Sequence, residues 1–242
     1  MAVFAALRWE CRPIVRQLHQ TSRERVAGFT VWRGTAPGRE IWLVRTGMGP
    51  RYAKAAARAV GQVSGFTLFL STGCAGGLAA DLTPGDLAVA TTLRGKPGEP
   101  SFETDAAWRA RICAAAERAA LRTVVGPLLS SRVVLATAAA KRAAAACGSV
   151  AVEMEGAPIA ACAAEQHVSF AAVRAILDTA DDELPDSSRF LALRRSAHKP
   201  LAPGGGVAAN AASGLQRLLA VRRMMDAAQR GLEKFFRAWL AA

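Results

Sequence analysis

The sequence predicts an α/β fold, a three-layer αβα sandwich around a central mixed sheet. Three observations carry this. Apolar runs of strand length alternate with helical stretches over roughly residues 1–180, the pattern of a sheet with helices on both faces. Several early apolar runs follow one another with no helix between them, which mixes antiparallel with parallel pairing. Hydrophobic residues make up 52% of the 242 positions while aromatics make up only 6%, a balance that suits alanine-rich helices packed closely on a sheet.

Residues 3–7 read as the first strand, and residues 10–20 as a helix with Ile14, Val15 and Leu18 on one side. Residues 26–32 and 40–45 form a strand pair joined by a turn around Pro37 and Gly38. The string TGMGP at 46–50 is a glycine turn, 51–63 an alanine-rich helix and 66–71 a continuous apolar strand, with the glycine cluster TGCAGG at 72–77 directly after it. Pro84 and Gly85 mark a turn, 86–92 a strand, 94–104 a polar loop and 105–120 a helix. Residues 124–130 and 132–135 are short strands or one bent strand, 138–146 a helix and 150–154 a strand. Residues 156–166 are helical, Pro158 being tolerated in a first turn. The last clear strand is 169–177, and 178–189 is an acidic, polar loop at its end. A catalytic domain over 1–198 is thus followed by a Gly/Pro break at 199–206 and a basic amphipathic helix over 215–240, expected to pack on the domain or to lie against a membrane surface.

Composition narrows the function. The net charge of +12 fits a solvated basic face or attraction to an anionic membrane surface. No zinc-finger spacing or glycine-aromatic string supports a nucleic-acid partner. Cysteines 11, 74, 113, 147 and 162 are odd in number and form no close pair, which points to a reducing, cytoplasmic setting without disulfides. His19, His167 and His198 have no metal-ligand spacing, so no metal is expected. No apolar stretch is long enough to span a bilayer, and the short apolar N-terminus has no basic head that would make it a signal peptide.

Three carboxylates, Glu153, Glu155 and Asp178, stand at the ends of apolar strand-like segments, where they are available to a small polar ligand such as a sugar. The two glycine clusters add backbone N–H groups able to hold an oxyanion or a hydroxyl, with Met48 and Gly49 in the first. Neither cluster has the Walker or dinucleotide pattern.

Taken together, STGCAGGL at 71–78 with PGD at 84–86, VEMEG at 152–156, RAILDTAD at 174–181 and FAALRWE at 4–10 resemble, in order, the motifs of the purine nucleoside phosphorylase and nucleosidase superfamily. The resemblance implies that Asp178 protonates or hydrogen-bonds N7 of a departing purine, which leaves poorly as an anion. It implies that Glu155 holds the ribose hydroxyls with Met154 packed on the sugar, Glu153 supporting them, and that Glu10 orients an attacking water. Gly73, Cys74 and Ala75 match the backbone region near sugar and base. Ser71 stands where phosphorylases of this superfamily tend to place a phosphate-binding arginine, which favours water over phosphate as acceptor. Residues 130–150 have no aromatic side chain to stack on a purine, so aliphatic and backbone contacts are expected there.

The layout, with its longer basic tail, is similar to the hopanoid-associated phosphorylase group. That likeness implies cleavage of adenosylhopane to adenine and a ribosyl hopane, without metal or organic cofactor, by a homodimer associated with a membrane surface. Phosphorolysis of a purine nucleoside, hydrolysis of adenosylhomocysteine or methylthioadenosine, and a non-catalytic ligand-binding protein on the same fold are the alternatives.

Overall fold

The computed structural model describes residues 1–63, 65–95, 98–184 and 211–241, with the side chains of 211–218 left aside. The expected break at 199–206 and most of the loop after Asp182 lie outside these residues.

The chain runs β1 (Ala2–Ala5), α1 (Arg8–Val15), β2 (His19–Val26), β3 (Phe29–Ala36), β4 (Arg39–Arg45), α2 (Pro50–Gly61), β5 (Leu68–Gly77) and β6 (Leu87–Arg94). It continues β7 (Ser101–Glu103), α3 (Ala106–Arg118), β8 (Thr123–Ser130), α4 (Ala138–Ala145), β9 (Ala151–Glu153), α5 (Gly156–Glu165), β10 (Ser169–Asp178) and α6 (Ala211–Leu240). One mixed sheet carries every strand in this sequence of elements. β5 is its hinge. It pairs parallel with β10 along most of its length, parallel with β1 at Phe69–Ser71 and antiparallel with β9 at Gly76 and Gly77. β10, β6, β8 and β9 pair in that order, so with β5 they close into a small barrel, while β1, β4, β3 and β2 extend from it as an open wing.

Helices cover both faces. Successive strand residues point to opposite sides. Val3 and Ala5 therefore join one core with Ile14 of α1, Ile112 of α3 and the apolar side of α6, while Ala2 and Phe4 join a second core with α2 and α5. The expected alanine packing is there: Ala53, Ala56 and Ala57 of α2 and Ala160 and Ala163 of α5 are buried in that second core.

Four local expectations are corrected. The glycine cluster at 72–77, expected to follow the strand, is its second half in β5, because glycine lets a strand run under the side chains that cross it. Residues 132–135 form no strand and instead pass along a cavity. Residues 19–26, expected to end a helix at 20 and to begin a strand at 26, form β2, an exposed edge strand whose polar sequence HQTSRERV shows no alternation. Residues 101–103 of the expected polar loop pair with β6 as β7.

The C-terminal helix settles against the domain by its apolar side. Val221, Ala228, Leu232, Phe235, Phe236, Trp239 and Leu240 are all buried, with Phe235, Phe236 and Trp239 in mutual ring contact at 5.0–6.0 Å. Arg222, Arg223, Arg230, Lys234 and Arg237 face solvent. The approach is close enough to require glycine: a Cβ on Gly231 would stand 2.5 Å from the carbonyl oxygen of Gly85. Burial of these large side chains contributes on the order of 10 kcal/mol, comparable with the whole stability of a domain. Removal of residues 211–242 is therefore expected to abolish cooperative unfolding, which thermal denaturation followed by circular dichroism would show. A truncated protein that kept a sharp transition would mean the helix is dispensable.

Candidate active site

Strand register brings the expected carboxylates together. Gly76 of β5 lies opposite Val152 of β9 on one edge and Asp178 of β10 on the other, and Gly73 lies opposite Arg174. A register shift between Ile176 and Asp178 bulges β10 at its end, and a bulge of this kind re-aims the next side chain. A cavity forms here, lined by Glu10, Met48, Cys74, Ala75, Gly76, Met154, Glu155, Leu177 and Asp178, with Glu153 at its wall. Val133, Val134, Leu135 and Leu184 give it an aliphatic side, and Val133 is 63% exposed at the rim. Among the described residues, no arginine or lysine lines the cavity.

Each acidic group is held differently. Glu10, on the first turn of α1, is buried and accepts the N–H of Leu7 at 2.8 Å and of Cys74 at 3.0 Å. The second bond passes beside Gly73, whose φ of +131° and contact with both Glu10 and Arg174 leave no room for a side chain: a Cβ would stand 2.9 Å from Glu10 Oε1. Gly73 therefore serves as a spacer and does not line the cavity. Glu155 precedes α5 and accepts the N–H of Gly49 at 2.8 Å, at the start of α2 where Pro50 needs no N–H partner. Met48, in the same turn, faces the cavity.

Glu153 is tied down rather than presented. It accepts the N–H groups of Glu155 at 2.9 Å and Gly156 at 2.6 Å, where helix α5 begins, and pairs with Arg174. Arg174 is 1% exposed in the middle of β10. It also donates to Thr72 O at 2.5 Å and Ser71 Oγ at 2.7 Å, and stands 3.9 Å from Glu155. Burial works against its charge, but Glu153, Glu155 and Glu10 outweigh this and raise its pKa above the ordinary value. Arg174 had been given no role from sequence. A lone arginine in an otherwise apolar strand is the signal that could have found it, since a buried charge must be paired.

Asp178 is 2% exposed and forms an ion pair with Lys141 of α4, which is fully buried. Lys141 also donates to Thr179 O at 2.7 Å and Asp182 O at 2.8 Å. Sequence reasoning missed this lysine: inside an alanine run, with Arg142 beside it, nothing distinguishes a buried cation from an exposed one. Among the described residues, no group of three or more His, Cys, Asp and Glu is arranged to hold a metal ion, and no helix is long and apolar enough to cross a membrane.

Burial raises the Glu155 pKa to about 7, with the nearby Glu153 and Glu10 charges adding to the rise and Arg174 and the Gly49 N–H opposing it. The folded chain thus keeps a proton on Glu155 that the unfolded chain releases near the ordinary value of 4.5, so stability falls as pH rises through that window. Glu155→Gln is expected to match the parent near pH 4 and to exceed it at pH 8 by on the order of 2–3 kcal/mol. Urea unfolding at both pH values checks this, and a variant no more stable at pH 8 would contradict it.

Residues 1–199 match the phosphorylase superfamily. The 5'-methylthioadenosine/S-adenosylhomocysteine nucleosidase of Halalkalibacterium halodurans is 31% identical over 94 residues, which are 39% of this chain and 41% of that relative. The chain thus spans about two fifths of the length of this relative. The solved 5'-methylthioadenosine/S-adenosylhomocysteine nucleosidase from Neisseria meningitidis, in complex with methylthio-immucillin-A, has a TM-score of 0.78 at 18% identity, covering 99% of this chain and 97% of that one. Futalosine hydrolase of Helicobacter pylori has a TM-score of 0.72 at 18% identity, covering 97% and 95%. These two structures share the mixed sheet and its flanking helices, and with the match over residues 1–199 the chain belongs to the phosphorylase superfamily.

Proposed function

We propose that the protein hydrolyses the N-glycosidic bond of an adenine nucleoside. The observation that carries this is the convergence of Glu10, Glu155 and Asp178 on one cavity from three separate elements. Glu155 accepts hydrogen bonds from the vicinal ribose hydroxyls and steadies the sugar as it gains oxocarbenium character. Asp178 gives a proton to N7, so that the base departs neutral. Glu10, held by two backbone N–H groups, takes a proton from the water that attacks C1′. Glu153 and Arg174 keep Glu155 in place. Met154, Cys74 and Ala75 pack around sugar and base, with the aliphatic segment 133–135 in place of an aromatic ring.

Water is favoured over phosphate. Among the described residues, no lining arginine or lysine would meet a phosphate dianion entering beside Glu10. Ser71, at the position where an arginine would serve phosphate, instead accepts a bond from Arg174. Methylthioadenosine and adenosylhomocysteine, the substrates in the relatives' names, are the first candidates. Adenosylhopane is the finer proposal. Its support is the resemblance of the sequence to the hopanoid-associated group and the exposed aliphatic rim at Val133. The tail's apolar side lends it none, because that side is buried in the domain. A homodimer in the cytoplasm, touching the membrane surface through the basic face of α6, completes the reading.

The test is adenine release from methylthioadenosine, adenosylhomocysteine and adenosylhopane, each with and without phosphate. The expected result is adenine plus a sugar with a free 1′-hydroxyl, at a rate phosphate leaves unchanged. Formation of a ribose 1-phosphate product would replace hydrolysis by phosphorolysis. Release from none of the three would favour a ligand-binding protein.

A further inference from the structure

We infer that Lys141 is a positioning residue of this site, whose ammonium meets the negative charge left on Asp178 when the base departs. The inference rests on the nucleosidase reading above. Its own ground is the geometry of α4 and the end of β10. Lys141 is fully buried, and all three of its N–H directions are used: Thr179 O, Asp182 O and the Oδ2 of Asp178. The next residue, Arg142, has a side chain 63% exposed, so the helix carries one cation outward and one inward.

Burying an ammonium costs several kcal/mol, and a tether between two carbonyls needs only a neutral donor. The charge needs another reason, and the carboxylate of Asp178 supplies it. Among the described residues, the other charged groups of the site are Glu10 from α1, Glu153 and Glu155 around the start of α5, and Arg174 from β10. Arg174 is committed to Glu153, Thr72 and Ser71.

The step balances without any further reactant. With nucleoside bound, a proton on the Asp178 carboxyl group passes to N7. The C1′–N9 bond breaks and its electron pair leaves with the purine. Water forms the C1′–O bond and gives a proton to Glu10. Lys141 keeps its three protons throughout, and its attraction to Asp178 grows as the carboxylate regains its charge. Lys141 therefore matters only where the leaving group must be protonated.

That dependence gives the test. Lys141→Gln keeps a donor for the two carbonyls but loses the charge. Turnover is measured on methylthioadenosine and on the p-nitrophenyl 5-methylthioriboside, whose phenolate departs without a proton. The expected result is a loss of about 10²-fold on the first, less than about 3-fold on the second, and partial recovery in Lys141→Arg. Equal losses on both would reduce Lys141 to a structural tether and overturn the inference, as would an unchanged rate on methylthioadenosine. If Lys141→Gln alone does not fold, the double variant with Asp178→Asn removes both charges of the pair. It should then be no slower on methylthioadenosine than Asp178→Asn alone, and a further loss would overturn the inference. Wild-type protein that cleaves the phenyl riboside but no adenine nucleoside overturns the adenine reading and this inference together.

Discussion

Asp178→Asn is expected to lower turnover of methylthioadenosine by about 10²–10⁴-fold, with adenine binding largely retained. The carboxyl group sits at the bulged end of β10, at the wall of the cavity and beside Gly76. An amide has the same shape and offers N7 a hydrogen bond, but it does not surrender a proton as an acid. Binding and chemistry should therefore separate. The substitution also leaves Lys141 without its counter-charge. Breaking one side of a buried pair costs as much as about 3–5 kcal/mol, moderated here by the carbonyls of Thr179 and Asp182. Calorimetric unfolding establishes that the variant is folded, and titration with adenine establishes that the pocket is intact. A folded variant that turns over at the parent rate would sink the acid assignment.

Among the single substitutions, Arg174→Met has the largest expected effect on stability. The guanidinium stands among Glu153, Glu155 and Glu10, and it draws Ser71 and the carbonyl of Thr72 into the same cluster. Methionine fills much of the space but leaves those carboxylates without the cation that holds them. A loss of about 3–5 kcal/mol follows, a large share of the stability of an ordinary domain. The defect should ease as pH falls, since protonating the carboxylates removes the repulsion. Adding Glu153→Gln to Arg174→Met should return part of the loss, because the amide oxygen still accepts the N–H groups of Glu155 and Gly156. Urea midpoints of the two variants at two pH values decide it; identical midpoints would mean that Arg174 does not hold the cluster.

The contrast between these two residues shows what was legible in the sequence. Glu153, Glu155 and Asp178 end apolar runs, and strand ends at a sheet edge are where ligands meet side chains, so their gathering around one cavity could be read in advance. The layered fold was readable from order: the buried strands β5 and β10 each open on an apolar run that follows a helix. The limits of β5 were not, since glycine in a strand and glycine in a turn look alike without the neighbours that need the space, here Glu10 and Arg174 over Gly73. β2 escaped because an exposed edge strand has no buried side to impose alternation. Glu153, expected as a supporting group, accepts the N–H groups at the start of α5 and pairs with Arg174, a partner the sequence does not identify. Lys141 was hidden because burial of one cation in an alanine helix depends on a loop some forty residues away.

The helix α6 also has a consequence for how the chain is made. It covers the same core as α1 near the N-terminus and the strand β10 that carries Asp178 and Arg174. Helix α1 and strand β10 thus keep an uncovered apolar face until residues 221–240 have emerged from the ribosome. Contacts so distant in sequence form slowly, and half-covered strands attract one another. Nascent chains stalled before residue 221 should consequently bind chaperones and be cleaved readily by protease, and resistance should appear in one step once the ring cluster of Phe235, Phe236 and Trp239 is free to dock.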